Sequence, residues 1–184
     1  MSLGTGLALA ALVVLVGVLW VRGDARAERL VVGMDAPDFA LPDAQGTQRR
    51  LADFRGAWLL LYFYPKDDTP GCTKEACAFR DGYQALRARS VRVVGISLDD
   101  AASHRAFAKK YGLPFPLLSD RGGDVAASYG ALRAWGPVRF AKRHSFLIDP
   151  AGRIRKIYRS VDAGAHYDEV LGDLDQIMRE AAMK

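Results

Sequence analysis

Apolar and polar positions follow two patterns along the chain, one typical of buried strands and one typical of helices. The run 58–64 is continuously apolar and ends at Pro65, which favours a strand buried on both faces. Within residues 73–89, apolar side chains such as Phe79 and Tyr83 recur at spacings of three and four, which predicts a helix. By the same criteria we expect strands at 39–41, 48–51, 91–98, 115–118, 145–148 and 154–158, and helices at 101–111, 124–129 and 166–183.

The order of these predicted elements indicates the fold class. Strand and helix alternate, and a hairpin over residues 145–158 and a final helix follow. This order favours a mixed sheet with helices on both faces. We therefore expect an α/β protein of thioredoxin-like fold. Residues 31–184 would form one domain with a central mixed sheet flanked by helices, preceded by one N-terminal apolar helix.

The first 22 residues differ from the rest of the chain. Residues 3–21 contain no Asp, Glu, Lys or Arg, and a helix of this length would span roughly 28 Å, close to the ~30 Å hydrocarbon core of a bilayer. This length favours a transmembrane anchor at 1–22, followed by a tether at 23–30. The small-residue pattern at 25–27 is instead typical of a cleaved signal segment.

The two interpretations of this segment differ in where they place the domain. An anchor makes the protein a membrane protein with a single N-terminal helix. Arginines follow the apolar run, and the positive-inside tendency would keep them and the domain in the cytoplasm. A cleaved signal would make the domain periplasmic or secreted. The side of the membrane therefore stays open at this point.

Composition excludes several classes of protein. Half of the 184 residues are hydrophobic, which excludes a wholly disordered chain. Two cysteines exclude a disulfide-stapled mini-protein and a four-cysteine zinc site. The three histidines lie far apart, without the spacing of metal ligands. The net charge of +5 is spread along the chain, so we expect no nucleic-acid partner.

Cys72 occupies the position best suited to chemistry, where the strand at 58–64 meets the next helix. Thr69 is a good N-cap and Pro70 suits the first helical position, so Cys72 falls at about the third residue of the helix. Free backbone N–H groups and the positive end of the helix dipole favour an anion there. A thiolate is such an anion, and it is the nucleophilic form of cysteine. The alternative is that Cys72 is a small buried apolar residue.

Cys77 follows five residues later, so an intact helix separates the two sulfurs. Five residues correspond to about 7.5 Å of rise and about 140° of rotation, which places the Cα atoms roughly 8.6 Å apart. A disulfide requires less than about 7 Å. The pair can bond only if the first helical turns unwind. The spacing also differs from a Cys-x-x-Cys motif. The alternative for Cys77 is a purely structural role in the core.

The segment around these cysteines resembles the active-site signature of the peroxiredoxins. The similarity is strongest over Phe63-Tyr-Pro-Lys-Asp-Asp-Thr-Pro-Gly-Cys-Thr-Lys-Glu-Ala-Cys77, and it is closest to the bacterioferritin-comigratory-protein (PrxQ) subfamily. Further similarity lies at 34–39, 95–99, 110–120 and 143–149, so the resemblance covers residues 31–180 but not the apolar segment.

The resemblance implies a role for each matched residue. Cys72 matches the peroxidatic cysteine, and Cys77 matches the resolving cysteine on the same helix. Arg143 matches the arginine that polarises the peroxide, Thr69 the threonine whose hydroxyl contacts it, and Pro65 the proline that shields the pocket. The family reduces hydrogen peroxide and organic hydroperoxides, usually with thioredoxin as electron donor, and a monomer is expected. No metal or organic cofactor is required for this chemistry.

Neighbouring residues allow less specific predictions. The polar residues 66–68 are expected in a solvated turn. Glu75 is expected to have a structural role in the first helical turn, with pairing to an arginine as the alternative. Trp135 either lines the entrance of the site or only packs. His144 stands where many family members have Ser or Thr.

Two other functions fit the same cysteine pair. A membrane-tethered thiol–disulfide reductase would turn over protein disulfides but consume little peroxide. A redox sensor would be oxidised stoichiometrically, without turnover when thioredoxin is supplied. Both remain alternatives to a thioredoxin-dependent peroxidase.

Overall fold

The computed structural model describes residues 30–183, in which strands and helices alternate. The strands are β1 (Ala40–Pro42), β2 (Gln48–Arg50), β3 (Trp58–Phe63), β4 (Val91–Ser97), β5 (Leu117–Ser119), β6 (Leu132–Trp135), β7 (Val138–Ala141), β8 (His144–Ile148) and β9 (Ile154–Tyr158). The helices are α1 (Pro70–Asp81), α2 (Tyr83–Ala88), α3 (Ala101–Tyr111), α4 (Asp124–Ser128) and α5 (His166–Ala182).

A mixed five-stranded sheet forms the centre of the described domain. The strand order is β5-β4-β3-β8-β9, with β3, β4 and β5 parallel and with β8 and β9 antiparallel to their neighbours. Isolated bridges engage the two outer strands, joining Asp43 to Leu118 in β5 and Asp35 to Arg153 just before β9. The predicted α/β fold with a central mixed sheet and flanking helices is confirmed.

The core lies on both faces of this sheet because every residue of β3 is buried. Leu59, Leu61 and Phe63 point into one cluster, which includes Ala126 of α4. Alternate residues of β3 point into the other cluster, where the helices α1, α3 and α5 pack. Cys72 belongs to this second cluster. The doubly buried strand predicted for 58–64 is therefore confirmed, and its carboxyl end leads directly to the cysteine.

The helix predicted at 73–89 is wrong in its extent. It begins earlier, at Pro70, and divides into α1 and α2 at Gly82. A side chain at Gly82 would collide with the ring of Tyr167 from α5, since an added Cβ would lie 1.9 Å from Tyr167 Cε2. Close packing of α5 against this point accounts for the glycine, and apolar spacing alone did not reveal it.

A second hairpin, formed by β6 and β7, was not predicted. Its strands pair from Leu132 with Ala141 to Trp135 with Val138. Arginines interrupt both strands, which conceals the apolar alternation that would have indicated them.

Among residues 30–183, no helix combines the length and the apolar character needed to span a bilayer. The N-terminal apolar helix predicted for 1–22, and all of the 23–30 tether except Leu30, lie outside the described residues.

Candidate active site

The loop between β3 and α1 places Cys72 in the first helical turn, as predicted. Thr69 is the N-cap residue, with extended backbone (φ −85°, ψ 150°), and Pro70 is the first helical residue. The Thr69 side chain does not cap the helix. Its hydroxyl donates to the Lys66 carbonyl at 3.0 Å, while the Thr69 carbonyl accepts the first helical bond from the Thr73 amide at 2.8 Å. The hydroxyl therefore holds the loop that precedes the cysteine.

Cys72 is buried and contacts a guanidinium from a distant part of the chain. Arg143 Nη2 donates to Cys72 Sγ at 3.3 Å. Gly71 leaves room for this approach, because a Cβ at that position would crowd Arg143 Nη2 at 3.1 Å. The Cys72 sulfur thus lies in a buried position beside both a helix N-terminus and a guanidinium. This arrangement stabilises a thiolate.

Glu75 lies one turn below Cys72 on α1 and contacts the same arginine. Its Oε2 accepts from Arg143 Nη1, and the carboxyl group is buried. Burial raises the pKa of Glu75 to about 7, against the opposing effect of Arg143. Its Oε1 has no hydrogen-bond partner among the described residues. The alternative of an arginine partner for Glu75 is therefore correct.

Arg143 stays charged between these two groups. It lies between β7 and β8, and its side chain is 19% exposed. Burial lowers the pKa of Arg143, but the negative charges of Glu75 and Cys72 outweigh this effect and raise the pKa above its ordinary value. The arginine therefore carries a fixed positive charge at the buried sulfur.

Tyr62 of β3 is buried in the same cluster as Cys72. Its ring stacks on that of Tyr64, with centroids 5.4 Å apart. Burial, followed by the charges of Glu75 and Cys72, raises the pKa of Tyr62 well above its usual value. The hydroxyl of Tyr62 therefore stays protonated at neutral pH. The sequence pattern does not distinguish Tyr62 from its neighbours, because it belongs to a continuously apolar run.

The prediction that residues 66–68 form a solvated turn is wrong for Asp67. This side chain is buried and accepts hydrogen bonds from the Tyr64 and Ser103 hydroxyls, at 2.8 and 2.7 Å. His104 Nδ1 lies 2.9 Å from the same carboxylate. Asp68 is exposed and pairs with Lys110. The two adjacent acids therefore differ in burial, because the start of α3 encloses Asp67 whereas the end of α3 meets Asp68 in solvent.

Cys77 lies on the same helix but away from this cluster. It is half-buried and not bonded to Cys72, and both thiols are free. Both cysteines fall within α1, whose helical geometry keeps their sulfurs apart.

The other predicted residues lie around the cysteine. Pro65 is half-buried and lines a groove of about 500 Å³ together with Leu98, Val138 and Phe140. Trp135 neither packs nor lines this groove; it is 84% exposed at the tip of the β6–β7 hairpin. His144 is buried at the start of β8.

The environment of His144 favours the neutral imidazole. Burial, then the charges of Lys142 and Arg159, lowers the pKa of His144 to about 4. Its ring therefore brings no positive charge to the site near neutral pH. In the part of the chain from 30 to 183, no group of three or more His, Cys, Asp or Glu side chains is arranged to hold a metal ion.

Comparison with known proteins agrees with this geometry. Residues 32–157 match the AhpC/TSA family. The chain is 45% identical over 147 residues to a putative peroxiredoxin bcp of Coxiella burnetii, covering 78% of this chain and 97% of that protein.

Two solved structures extend the similarity to the fold. Peroxidoxin BcpB from Mycobacterium tuberculosis superposes with a TM-score of 0.77 at 38% identity, over 81% of this chain and 99% of that one. The bacterioferritin comigratory protein of Xanthomonas campestris, described for its alkyl peroxide reduction activity, gives 0.71 at 32% identity, over 75% and 90%. With the buried Cys72–Arg143–Glu75 cluster, these matches show that the chain belongs to the peroxiredoxins of the AhpC/TSA family and to their BCP/PrxQ subfamily, which makes it a thiol peroxidase.

Proposed function

We propose that Cys72 is the peroxidatic cysteine and that the enzyme reduces hydrogen peroxide and organic hydroperoxides. The observation that carries this assignment is the 3.3 Å contact from Arg143 Nη2 to Cys72 Sγ, at the N-terminus of a helix. The Xanthomonas relative described for alkyl peroxide reduction supports organic hydroperoxides as substrates. Arg143 and the free N–H groups of the first turn stabilise charge on the reacting oxygens.

The first step is an in-line attack of the Cys72 thiolate on one peroxide oxygen. The O–O bond breaks, an S–O bond forms, and the sulfur gives two electrons. The leaving oxygen takes a proton and departs as water or as an alcohol, leaving Cys72 as a sulfenic acid. Thr69 and Pro65, in the loop before the helix, shape the place where the peroxide binds.

The second step is condensation of the sulfenic acid with Cys77. The thiol displaces hydroxide, which leaves as water, and a Cys72–Cys77 disulfide forms. The first turns of α1 must unwind for this, because helical geometry separates the two sulfurs. A thioredoxin-like dithiol then reduces the disulfide by exchange.

A coupled peroxidase assay tests the function. Loss of peroxide that is fast and requires thioredoxin, thioredoxin reductase and NADPH is the expected result. A thiol–disulfide reductase would consume protein disulfides and little peroxide, and a sensor would react once without turnover. Mass spectrometry after one equivalent of peroxide should find the Cys72–Cys77 bridge, and its absence would contradict resolution within the chain.

The uncharged segment at 3–21 supports a membrane location for the same enzyme. In this part of the proposal, residues 1–22 anchor the enzyme in a bilayer and residues 31–184 form a monomeric catalytic domain. Membrane fractionation with protease protection tests anchoring and sidedness together. Release of the enzyme in the soluble fraction would contradict the anchor, and light scattering in detergent would measure the oligomeric state.

A further inference from the structure

The β6–β7 hairpin carries an exposed apolar tip. Trp135 is 84% exposed and Val138 is 54% exposed, and the two are directly paired across the turn at Gly136 and Pro137. Large apolar side chains that are this exposed and adjacent mark an interaction surface. Tryptophan, with its apolar rings and one polar N–H, suits the boundary between water and lipid.

The flanks of this tip are basic. Residues 131–143 contain four basic side chains and no acidic one. Arg133 and Arg139 are exposed beside the tip, and Lys142 follows at the base of the hairpin. A bilayer of anionic phospholipid has negatively charged headgroups outside and an apolar interior. An apolar tip between cationic flanks is complementary to such a surface.

The hairpin adjoins the active site. Its strand β7 leads within two residues to Arg143, which contacts Cys72. Val138 and Phe140 line the same groove of about 500 Å³ as Pro65. A surface that contacts the tip therefore also meets the rim of this groove, because Val138 belongs to both.

The chain enters the domain at this same end of the sheet. The segment before β1 runs along β9 in the opposite direction, with the Gly33 amide donating to the Ile154 carbonyl at 2.7 Å and Arg159 Nη2 donating to the Leu30 carbonyl at 3.2 Å. Arg159 follows the end of β9, beside the start of β8, which pairs with the carboxyl end of β3. The eight residues 23–30 reach at most roughly 28 Å. The uncharged 3–21 segment is thus joined to the active-site end of the domain.

We propose that the Trp135 hairpin docks on anionic phospholipid and presents Cys72 to hydroperoxides of the membrane lipids themselves. The inference rests on the proposed peroxidase function and names its substrate class. The Cys72 thiolate takes the terminal oxygen of the lipid hydroperoxide, the O–O bond breaks and an S–O bond forms. The lipid leaves as an alcohol after protonation, and the resulting sulfenic acid is resolved by Cys77 and an external dithiol.

Fluorescence tests the docking independently of activity. In the full chain, a Trp20→Phe variant leaves the emission of Trp58, which is buried, and of Trp135. Vesicles of phosphatidylglycerol with brominated acyl chains should quench and blue-shift the Trp135 emission. The same variant with Trp135→Phe should lose this response, and phosphatidylcholine vesicles should give a smaller one. Unchanged emission with the brominated anionic vesicles would overturn the proposal.

Kinetics test the substrate class. With phospholipid hydroperoxide in phosphatidylglycerol vesicles, Trp135→Ser and Arg133→Ser should each lower the rate, the first by about tenfold. Their rates with dissolved hydrogen peroxide should stay unchanged. Arg87→Ser is the charge-matched control, because Arg87 is exposed in α2 near the opposite end of the sheet.

The possible failures are distinguishable. Absence of activity on both peroxides, with Trp135 still quenched, would refute the peroxidase function and leave the docking intact. Normal activity on both peroxides in Trp135→Ser would overturn the lipid proposal. A variant slowed only in its reduction by thioredoxin would identify the hairpin as a protein-docking surface and would also overturn it.

Discussion

Cys72 and Cys77 lie on the same helix, five residues apart, yet their surroundings differ in every respect that matters for reactivity. Cys72 is buried in the first turn and receives a hydrogen bond from Arg143. Cys77 is half-buried, beyond the first turn, where the helix N-terminus no longer favours an anion. The contrast supports the proposal that Cys72 attacks the peroxide and that Cys77 reacts in a later step.

The difference comes from tertiary structure rather than from the helix alone. Arg143 is 71 residues away from Cys72 in the chain, and it reaches the sulfur only because β8 pairs with β3. Glu75, on the same helix, holds the other side of the guanidinium. The helix N-terminus supplies a partial positive charge to the sulfur. Arg143, positioned by the strand pairing, adds a full positive charge.

The largest expected effect follows from exchanging each cysteine for serine. Cys72→Ser should abolish peroxide consumption, because no other thiolate lies beside Arg143. Cys77→Ser should consume one equivalent of peroxide and then stall until a small thiol is added. Stopped-flow measurement of peroxide, with dimedone trapping of the sulfenic acid, separates the two. Continued turnover in Cys72→Ser would refute the assignment.

Removing Arg143 should reduce the difference in reactivity towards peroxide between Cys72 and Cys77. Arg143→Met is expected to slow sulfenic acid formation by about 10²–10³-fold, the usual cost of one donor to a developing oxyanion. The matched control is Arg80→Met, since Arg80 lies three residues from Cys77 on α1. Its rate should change by less than about threefold. Equal losses in both variants would show that Arg143 acts through the fold and not at the sulfur.

Glu75→Gln should alter how stability depends on pH. Because burial raises the pKa of Glu75 to about 7, the folded state keeps a proton that the unfolded state loses above about pH 4.5. The free energy of unfolding should therefore fall by up to about 3 kcal/mol as the pH rises from 4.5 to 7, and level off above it. The glutamine variant should lack this fall in urea unfolding curves, and Glu180→Gln, on the exposed face of α5, should keep it. Parallel profiles of wild type and Glu75→Gln would contradict the burial argument.

The smallest expected effect concerns the loop before Cys72. Both oxygens of Asp67 accept hydroxyl hydrogen bonds, so Asp67→Asn replaces one acceptor with an N–H₂ donor and forces the hydroxyl beside it to reorient. The variant should lose about 1–3 kcal/mol of unfolding free energy. Asp68→Asn should cost much less, because the pair with Lys110 lies in solvent. Urea unfolding compares the two, and equal losses would show that the Asp67 network is not what holds the loop.

Local patterns predicted much of the fold and the place of the cysteine. The helix at 101–111 has the predicted bounds, since Asp100 caps it and Gly112 ends it with positive φ. The position of Cys72 in the first turn also followed from Thr69 and Pro70, which act on their own neighbours. Signals of this kind depend on residues a few positions apart.

What the patterns missed depends on partners far along the chain. Asp67 looked solvated because Ser103 and His104, which bury it, are 36 and 37 residues away. The break at Gly82 depends on Tyr167 of α5. From the sequence alone, Glu75 is an ordinary first-turn acid. Its pairing with Arg143 is visible only in the folded structure. The spacing of apolar and polar residues within one helix does not predict these long-range contacts.

The two bridges at the margins of the central sheet bear on how this protein can associate with itself. On one edge of the sheet, the backbone of Asp43 pairs with that of Leu118. On the other edge, residues 33–35 pair with Arg153 and Ile154. Unpaired outer strands are the usual template for joining two sheets into one. With these strands already engaged, a second copy would find little free backbone to extend the ladder. Joining two copies edge to edge through the central sheet is therefore disfavoured.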